Sequence, residues 1–278
     1  MSTAWRDGPP PSPPVALNGA GPATAGPASG RTEAITLTDV SKVYGRVPGA
    51  VHALHRLSLT VGDGEFVCLV GASGCGKSTL LSIVAGLDAA TAGEVVTRGK
   101  RVALMFQEPA LFPWLTARKN VELALRARKI GGPERARRAS DLLTTVHLAE
   151  FADKRPHELS GGMRQRVALA RALAQDAEVL LMDEPFGALD AMTRDLLHDE
   201  LERICAERKL SVLFVTHNVR EAARLADRVV LLSSRPGRVI QEYQVPRSGP
   251  RRIDSASVAQ LAAAITDRLR AEMRRDGS

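Results

Sequence analysis

Cysteine and aromatic side chains are scarce in this chain. It has three cysteines, and only 4% of its residues are Phe, Trp or Tyr. Cys68, Cys75 and Cys205 make no disulfide framework of the kind that holds small secreted domains together. We therefore expect a protein of a reducing cytosol that is held together by an ordinary hydrophobic core.

Long apolar runs are absent as well. None approaches the roughly 20 residues that a helix needs to cross a membrane, and the N-terminus lacks the basic and then apolar pattern of a signal peptide. If the protein serves a membrane, we expect another chain to cross it. The net charge of +7 is compatible with nucleic acid, with an anionic membrane surface, or with solubility alone.

Composition divides the 278 residues into three parts. Residues 1–32 are rich in Pro, Gly, Ala and Ser without any periodicity, which predicts a disordered tail. Residues 33–245 alternate between strand-like and helix-like patterns and are predicted to form the folded domain. Residues 246–278 form a C-terminal extension with a helix over Ser255–Arg274, which is either docked or regulatory; we favour docking.

The most specific motif is a glycine-rich loop between a strand and a helix. The β-prone run Glu65–Val70 precedes it, and the helical pattern Leu80–Leu87 follows it. The loop has the form G-x-x-x-x-G-K-[ST], and its residues are Gly71, Ala72, Ser73, Gly74, Cys75, Gly76, Lys77, Ser78 and Thr79. Its successive N–H groups are expected to cradle phosphates at a helix N-terminus. Lys77 can reach the β- and γ-phosphates, and the Ser78 hydroxyl suits Mg²⁺. An ordinary glycine-rich turn is the alternative.

Polar residues follow two further buried strands. The apolar run Glu178–Met182 ends at Asp183 and Glu184, and Ser211–Val215 ends at Thr216 and His217. The carboxyl ends of parallel strands meet at the crevice where α/β proteins bind ligands, so these side chains are candidates for one site. The alternatives are a carboxylate at a helix start and a structural histidine.

A second predicted helix N-terminus also has features that suit anion binding. In the segment Leu159–Met163 (LSGGM), Ser160 is placed as an N-cap, and Gly161 and Gly162 follow it. Further upstream, Thr116 is expected to cap the helix that runs toward Arg128. The many Arg and Lys residues between Arg126 and Arg138 fit a solvated helical face better than a binding patch.

The predicted fold class is α/β. Alternating strands around Ile35–Val40 and Leu54–Val61 precede the phosphate loop and predict an antiparallel β subdomain. The later strands are continuous apolar runs, which are typical of a mostly parallel sheet in a P-loop NTPase core.

With these motifs in order, the chain resembles the ATP-binding subunit of an ABC transporter over about Ile35–Val245. Six landmarks carry the resemblance: GASGCGKST, the loop at Gln107, LSGGM, VLLMDEP at Val179–Pro185, ALD at Ala188–Asp190, and His217. Two features depart from the family pattern. Met163 stands where many members have Gln, and the short segment between Thr79 and Gln107 predicts a trimmed β-hairpin.

The resemblance implies an inserted helical subdomain over about residues 118–158. It also implies roles for individual residues. Tyr44 would stack on adenine, although a packed tyrosine is the alternative. Ser78 and Gln107 would be Mg²⁺ ligands, with Asp183 binding through a water molecule. Glu184 would be the general base for the attacking water, and His217 would orient that water and the γ-phosphate.

The resemblance also implies partners. Ser160, Gly161 and Gly162 would complete the ATP site of an opposing subunit, and Asp190 would lie at the same dimer seam. Two ATP molecules would be enclosed between two such subunits, in a homodimer or with a paralogue. Two membrane permease subunits and an extracytoplasmic substrate-binding protein would complete the machine, which places this chain at the cytoplasmic face of the membrane as a peripheral subunit.

The stretch MFQEPALFPWLT, with LSGGMRQRVALARAL and SSRPGRV, resembles the nitrate/sulfonate/taurine importer group. The short hairpin and KNVELAL favour the aliphatic sulfonate importer within it. A nitrate, taurine or other small-anion importer and an exporter-type ATPase remain alternatives. A soluble ABC ATPase that acts on nucleic acid is another, but we expect no nucleic-acid partner, because the chain has neither a second nucleotide unit nor a long coiled-coil insertion.

Overall fold

A computed structural model of the chain describes residues 32–46, 49–187, 189–246 and 255–276. The tail that the sequence predicts to be disordered, residues 1–31, lies outside the described residues. The strands are β1 (Glu33–Tyr44), β2 (Val51–Gly62), β3 (Phe66–Val70), β4 (Ala92–Val96), β5 (Val102–Met105), β6 (Val179–Asp183), β7 (Ser211–Val215), β8 (Arg228–Leu232) and β9 (Val239–Gln244). The α-helices are α1 (Lys77–Val84), α2 (Ala117–Ala127), α3 (Gly132–Thr145), α4 (Gly161–Leu173), α5 (Ala191–Arg208), α6 (Val219–Leu225) and α7 (Ala256–Asp276).

A six-stranded sheet forms the centre of the fold. Its order is β5-β6-β7-β3-β8-β9, and every neighbouring pair is parallel except β8 with β9. All residues of β3, β7 and β8 are buried, as expected for strands that are covered on both faces. The α/β fold class predicted from the sequence is confirmed, and so is the pairing of β9 beside β8.

A three-stranded antiparallel sheet with the order β2-β1-β4 packs beside this centre. Strand β1 runs on to Tyr44, beyond the end predicted at Val40, because bulges interrupt its alternating pattern and Asp39 has a positive φ of 48°. The prediction of a trimmed hairpin before Gln107 is wrong. Strand β4 pairs with β1, whereas β5 pairs with β6 in the central sheet.

Helices α2 and α3 pack on each other and on α4, beyond the edge of the central sheet. Thr116 caps α2 as predicted, because its hydroxyl accepts a hydrogen bond from the Lys119 amide at 3.2 Å. The apolar side chains Val121, Leu125 and Leu143 join the same core as the central sheet. The stretch therefore adds a helical layer to the sheet without a separate core.

Three of the six basic residues between Arg126 and Arg138 form ion pairs. Arg137 and Arg138 both contact Glu134, at 2.8 and 2.5 Å, and Arg128 contacts Asp176 at 2.9 Å. The guanidinium groups of Arg137 and Arg138 lower the pKa of Glu134 to about 2. These pairs are partly or largely exposed, so the contacts support a solvated helical face rather than a binding patch.

The C-terminal helix α7 docks on α6. Val258 and Ala262 are buried against Ala223, and Ile265 reaches the main core. This contact supports the docked alternative for the C-terminal helix. Within the described ranges, none of the helices combines the length and apolarity that crossing a membrane requires.

Candidate active site

The candidate site lies where the central strands end. The phosphate loop follows β3, Asp183 ends β6, His217 follows β7, and Gln107 follows β5. Because these strands are parallel, their carboxyl ends lie at one edge of the sheet. A cleft of about 310 Å³ opens there, and its lining residues are Tyr44, Val51, Ala53, Ser73, Gly74, Gly76, Lys77, Ser78, Thr79, Gln107, Asp183, Glu184 and Arg235.

A larger cleft, of about 690 Å³, lies at the opposite edge of the sheet, near the starts of β3, β6 and β7. Several of its charged groups are paired with one another: Lys100 contacts Asp63 at 2.6 Å, and Arg101 contacts Asp176 at 3.2 Å. None of the motif residues lines it. The smaller cleft is therefore the candidate site, because residues of the predicted phosphate loop line it together with Gln107, Asp183 and Glu184.

The phosphate loop turns into α1 through a left-handed glycine. Gly76 has φ 96°, and a Cβ atom there would lie 2.6 Å from the Ala53 carbonyl oxygen, so the position requires glycine. The Lys77 ammonium donates to the carbonyl oxygens of Gly71 and Ala72, at 2.8 and 2.9 Å. Gly71, Ala72 and Cys75 are absent from the cleft lining. Within the loop they hold Lys77, whose ammonium also lies 3.7 Å from the Cys75 sulfur.

Asp183 and Ser78 face each other across the cleft floor. Burial raises the pKa of the Asp183 carboxyl, the hydrogen bond from Ser78 lowers it, and the nearby Glu184 carboxylate raises it further. Both residues line the cleft, together with Gln107. The groups that meet here are a hydroxyl, a carboxylate and an amide, all of which offer oxygen atoms.

These oxygen donors fit a hard divalent cation. Across the described ranges, no three His, Cys, Asp or Glu side chains cluster in a way that could hold a metal ion. A cation bound beside Ser78 would therefore depend on mixed oxygen ligands and on phosphate oxygens from a nucleotide. This is the ligand set that Mg²⁺ prefers, because it usually keeps several waters and takes few protein carboxylates.

Glu184 and His217 are hydrogen-bonded to each other. The His217 Nδ1 atom lies 2.8 Å from Glu184 Oε2. The Glu184 amide donates to the Val215 carbonyl oxygen at 2.9 Å, and the residue has a positive φ of 43°. This backbone bond holds the end of β6 against the end of β7. Glu184 lines the cleft, whereas His217 is absent from the lining and contacts it through the Glu184 carboxylate.

A buried polar network supports His217 from behind. The Thr216 hydroxyl donates to Glu221, whose other carboxylate oxygen lies 2.7 Å from His198 Nε2. Arg224 contacts His198 Nδ1 at 2.8 Å. Because arginine only donates, His198 accepts at Nδ1 and donates from Nε2 to Glu221. Through these contacts α5, α6 and Thr216, the residue before His217, share one set of hydrogen bonds.

Tyr44 borders the cleft with an exposed ring. Its side chain is 41% accessible, and its hydroxyl donates to Asp88 Oδ2 at 2.7 Å. The Lys42 ammonium lies 4.8 Å from the ring centroid. The hydrogen bonds from Lys42 and Tyr44 lower the pKa of Asp88. The contacts fix the hydroxyl end of the ring and leave much of the ring accessible.

Gln107 is exposed at the cleft, and its backbone is tied to α4. The Gln165 amide donates to the Gln107 carbonyl oxygen at 2.8 Å. Arg171 donates to the carbonyl oxygens of Pro109 and Ala110, each at 2.7 Å. The loop after β5 is therefore held by three hydrogen bonds from one helix.

The LSGGM residues are not brought into this cleft. Ser160 caps α4 by accepting from the Met163 amide at 3.2 Å, and neither it nor Gly161 or Gly162 lines the cleft. Asp190 likewise caps α5 by accepting from the Thr193 amide at 3.0 Å. A Cβ atom on Gly162 would lie 2.4 Å from the Thr193 side chain, so α4 and α5 approach closely at their starts.

Sequence reasoning missed Arg235. It lies between β8 and β9, and its guanidinium lines the cleft beside Gly74. The segment SSRPGRV was noted only for its resemblance to a transporter group, since an exposed arginine in a loop has no sequence pattern that places it near a phosphate loop.

Comparisons with known proteins agree with the geometry. The family model described as ABC transporter matches residues 54–187. The chain is 46% identical over 222 residues to the nitrate import ATP-binding protein NrtD of Synechocystis, covering 77% of this chain and 84% of the relative. It is 48% identical over 221 residues to the aliphatic sulfonates import ATP-binding protein SsuB 1 of Mesorhizobium japonicum, covering 78% and 82%.

Solved structures give the same result. The ATP-binding cassette MJ0796, in a dimeric post-hydrolysis state bound to ADP and Pi, superposes with a TM-score of 0.69 at 35% identity, covering 76% of this chain and 99% of that chain. The similarity goes beyond the fold, because a sequence identity of 35% is well above the level at which only a fold is shared.

Proposed function

Because this chain belongs to the ABC transporter family and is one of its ATPases, we propose that it energises uptake of aliphatic sulfonates through a separate membrane permease. The observation that carries the ATPase part is the convergence of the phosphate loop, Asp183 and Glu184 at one cleft, with His217 hydrogen-bonded to Glu184. The sulfonate part depends on the resemblance of the sequence segments.

In the proposed mechanism the phosphate loop binds ATP. The backbone amides of residues 71–79 and the Lys77 ammonium hold the phosphates, and the start of α1 adds the favourable end of a helix dipole. The exposed ring of Tyr44 stacks on the adenine. Ser78 and Gln107, with Asp183 through a water molecule, hold Mg²⁺, which when bound would neutralise phosphate charge.

Glu184 and His217 then share the work of hydrolysis. Glu184 accepts a proton from the attacking water, whose oxygen forms the new bond to the γ-phosphorus while the bond to the bridging oxygen of ADP breaks. His217 orients the water and the γ-phosphate. Their mutual hydrogen bond of 2.8 Å supports this division, because it fixes the carboxylate and imidazole relative to each other.

The proposed assembly is a homodimer that encloses two ATP molecules. Ser160, Gly161 and Gly162 contact the ATP of the opposing subunit, and Asp190 lies at the seam between the subunits. Ser160 is exposed and is absent from the lining of its own subunit's cleft, and both observations support this arrangement. The dimeric MJ0796 cassette, a relative of similar architecture, supports it as well.

Two permease subunits and an extracytoplasmic substrate-binding protein are the further proposed partners. The loop from Gln107 to Thr116 exposes Phe112 and Trp114, 37% and 67% accessible, whose rings pack at 5.5 Å. Exposed aromatic side chains in a chain with few aromatics fit a contact surface for another protein.

The proposed subunit is peripheral and lies at the cytoplasmic face of the membrane. Residues 33–245 are its proposed ATPase domain, with a helical subdomain at about 118–158.

The transported substrate does not touch this subunit in the proposed scheme. The sulfonate and nitrate relatives are 48% and 46% identical to the chain, so overall identity does not discriminate between these anions. Nitrate, taurine or another small anion is therefore the second candidate. A nucleic-acid ATPase is disfavoured, since the exposed basic residues of α3 are paired with carboxylates on the same helix.

Growth of a strain deleted for the gene tests the substrate. The sulfur source is varied among sulfate, alkanesulfonates and taurine, with nitrate as the nitrogen source in a parallel culture. Loss of growth on alkanesulfonates alone is the expected result. Loss on nitrate or taurine alone would assign that anion instead, and unaffected growth on every source would remove the sulfonate proposal while leaving the ATPase activity to be measured on the purified protein.

A further inference from the structure

The loop between β8 and β9 brings a second cation to the phosphate loop. Arg235 Nε donates to the Gly74 carbonyl oxygen at 3.1 Å. A Cβ atom on Gly74 would lie 3.2 Å from Arg235 Nη2, so the guanidinium lies directly beside the loop backbone. The side chain is exposed and lines the nucleotide cleft. The bond to Gly74 uses one of the five N–H donors of a guanidinium group.

Hydrogen bonds and a close backbone contact hold the loop between β8 and β9 in place. The Gly237 amide donates to the Ala53 carbonyl oxygen at 2.9 Å, and the His55 amide donates back to Gly237 at 3.1 Å. A Cβ atom on Gly237 would lie 2.2 Å from the Cys75 carbonyl oxygen. Inside the loop, the Ser233 hydroxyl donates to the Pro236 carbonyl oxygen at 2.8 Å. Arg235 is therefore held against the phosphate loop by its own backbone.

The distribution of charged side chains in the cleft suits a contact between Arg235 and an anionic nucleotide. Its charged lining side chains are Lys77, Arg235, Asp183 and Glu184. The Lys77 ammonium is bonded to two carbonyl oxygens of the loop, and Asp183 and Glu184 lie on the far side from Arg235. A nucleotide polyphosphate is strongly anionic, and a guanidinium group is well suited to phosphate oxygens.

The strand order indicates from which side Arg235 approaches the phosphates of a bound nucleotide. Strand β8 neighbours β3 on one side, whereas β7, β6 and β5 follow on the other. Glu184, His217 and Gln107 therefore approach the phosphate loop from one side, and Arg235 approaches from the opposite side. The groups proposed to act on the γ-phosphate are all on the first side.

We propose that Arg235 is a nucleotide-binding residue that contacts the phosphates common to ATP and ADP. The proposal rests on the ATPase site described above. Since these phosphates are present before and after hydrolysis, Arg235 stabilises the bound nucleotide equally in the ground state and in the transition state. Its loss raises Kd and KM and leaves kcat nearly unchanged. If Arg235 had only a structural role, through its hydrogen bond to the Gly74 carbonyl oxygen, its substitution would leave nucleotide affinity unchanged.

The test compares Arg235→Gln with Arg238→Gln in the full chain. Arg238 is exposed, lies three positions along the same loop, and is absent from the cleft lining. We expect R235Q to weaken both ATP and ADP by about tenfold in calorimetric titration, as for a charge-assisted contact at an exposed site. The kcat should stay within about twofold, and R238Q should match the parent protein.

Two results would overturn the proposal. One is unchanged affinity of R235Q for both nucleotides, and the other is a loss confined to ATP or to kcat.

Thermal unfolding without nucleotide checks that R235Q is folded. If it is not folded, R235K is the variant that tests the proposal. Lysine keeps the charge but lacks the planar guanidinium group, so R235K should bind both nucleotides about threefold more weakly than the parent. Equal affinity of R235K and the parent would then count as refutation. Lys77→Ala in the same titration separates this outcome from failure of the nucleotide site itself.

Discussion

His217 Nδ1 and Glu184 Oε2 lie 2.8 Å apart, although 33 positions separate the two residues along the chain. Glu184 directly follows the last residue of β6, and His217 lies two positions beyond the end of β7; these strands are neighbours in the sheet. An ionised carboxylate only accepts hydrogen bonds, so Nδ1 carries the proton of this pair and Nε2 is left to face another partner. The pair thus leaves one carboxylate oxygen and one imidazole nitrogen outside their mutual hydrogen bond, and the carboxylate belongs to the cleft lining.

We expect Glu184→Gln to keep ATP binding and to lose hydrolysis. Glutamine preserves the shape and can still accept from His217, but it cannot take a proton from water, which is typically worth a factor of about 10²–10⁴ in rate. Because the nucleotide persists, the variant should accumulate as a closed dimer. Light scattering after size-exclusion chromatography at saturating ATP measures this. A monomer under those conditions would contradict the proposed dimer.

Lys77→Ala should abolish ATP binding that is measurable at micromolar nucleotide. The substitution removes the only ammonium group among the residues that line the described cleft, and a buried lysine side chain leaves a gap in the loop. Lys100→Ala is the matched control, because Lys100 pairs with Asp63 at the opposite edge of the sheet. Equal affinity in the two variants would undo the assignment of the phosphate loop.

Asp183→Asn should make the isolated protein more stable at neutral pH while removing its Mg²⁺-dependent hydrolysis. Burial raises the pKa of the Asp183 carboxyl above its ordinary value, so the folded protein binds this proton more tightly than the unfolded chain. The charged carboxylate therefore costs stability above the folded pKa, and the cost disappears as the pH falls toward the ordinary Asp value. Asparagine never carries the charge.

Thermal unfolding without nucleotide or Mg²⁺, from pH 8 down to pH 4, tests this difference. The advantage of D183N over the parent should be largest at pH 8 and should shrink as the pH falls. Asp190→Asn is the comparison of opposite sign, since hydrogen bonds from Thr193 lower the pKa of Asp190. Its charge stabilises the fold above the ordinary Asp pKa, so D190N should be less stable at pH 8. An advantage for D183N that is independent of pH would disprove the electrostatic origin.

Gly237→Ala should weaken nucleotide binding from outside the cleft. Its Cβ atom would lie 2.2 Å from the Cys75 carbonyl oxygen, so either the β8–β9 loop or the phosphate loop must move. Overpacking of this kind typically costs about 1–3 kcal/mol. Gly132→Ala is the control, because a Cβ atom there meets nothing within 4 Å. Unfolding temperature and ATP affinity of the two variants, measured together, show whether the strain reaches the nucleotide.

Much of the site was predictable because its motifs are local. The phosphate loop needs a strand before it and a helix after it, and both occur as predicted, in β3 and α1. Asp183 and His217 were predictable as strand-end residues for the same reason, since a continuous apolar run identifies a buried parallel strand. The bond between Glu184 and His217 was not, because it depends on β6 and β7 being neighbours.

Other parts depend on pairing over long distances. The segments that became β4 and β5 are close in sequence, yet β4 pairs with β1 and β5 with β6. No local pattern says which partner a short strand will choose. Helix α6 was missed although Asn218 accepts from the amides of Arg220 and Glu221, because seven residues give too little periodicity to distinguish a helix from a turn.

The three hydrogen bonds that join α4 to the backbone of Gln107, Pro109 and Ala110 have a mechanical consequence. One end of α4 is capped by Ser160, in the segment proposed to touch the nucleotide of the opposing subunit. A force applied to the exposed loop after β5 is therefore carried to that cap by a single stiff helix, with no hinge between them. In the proposed assembly, a displacement of this loop by the permease would therefore move Ser160 relative to the nucleotide of the opposing subunit, because both are attached to the same helix.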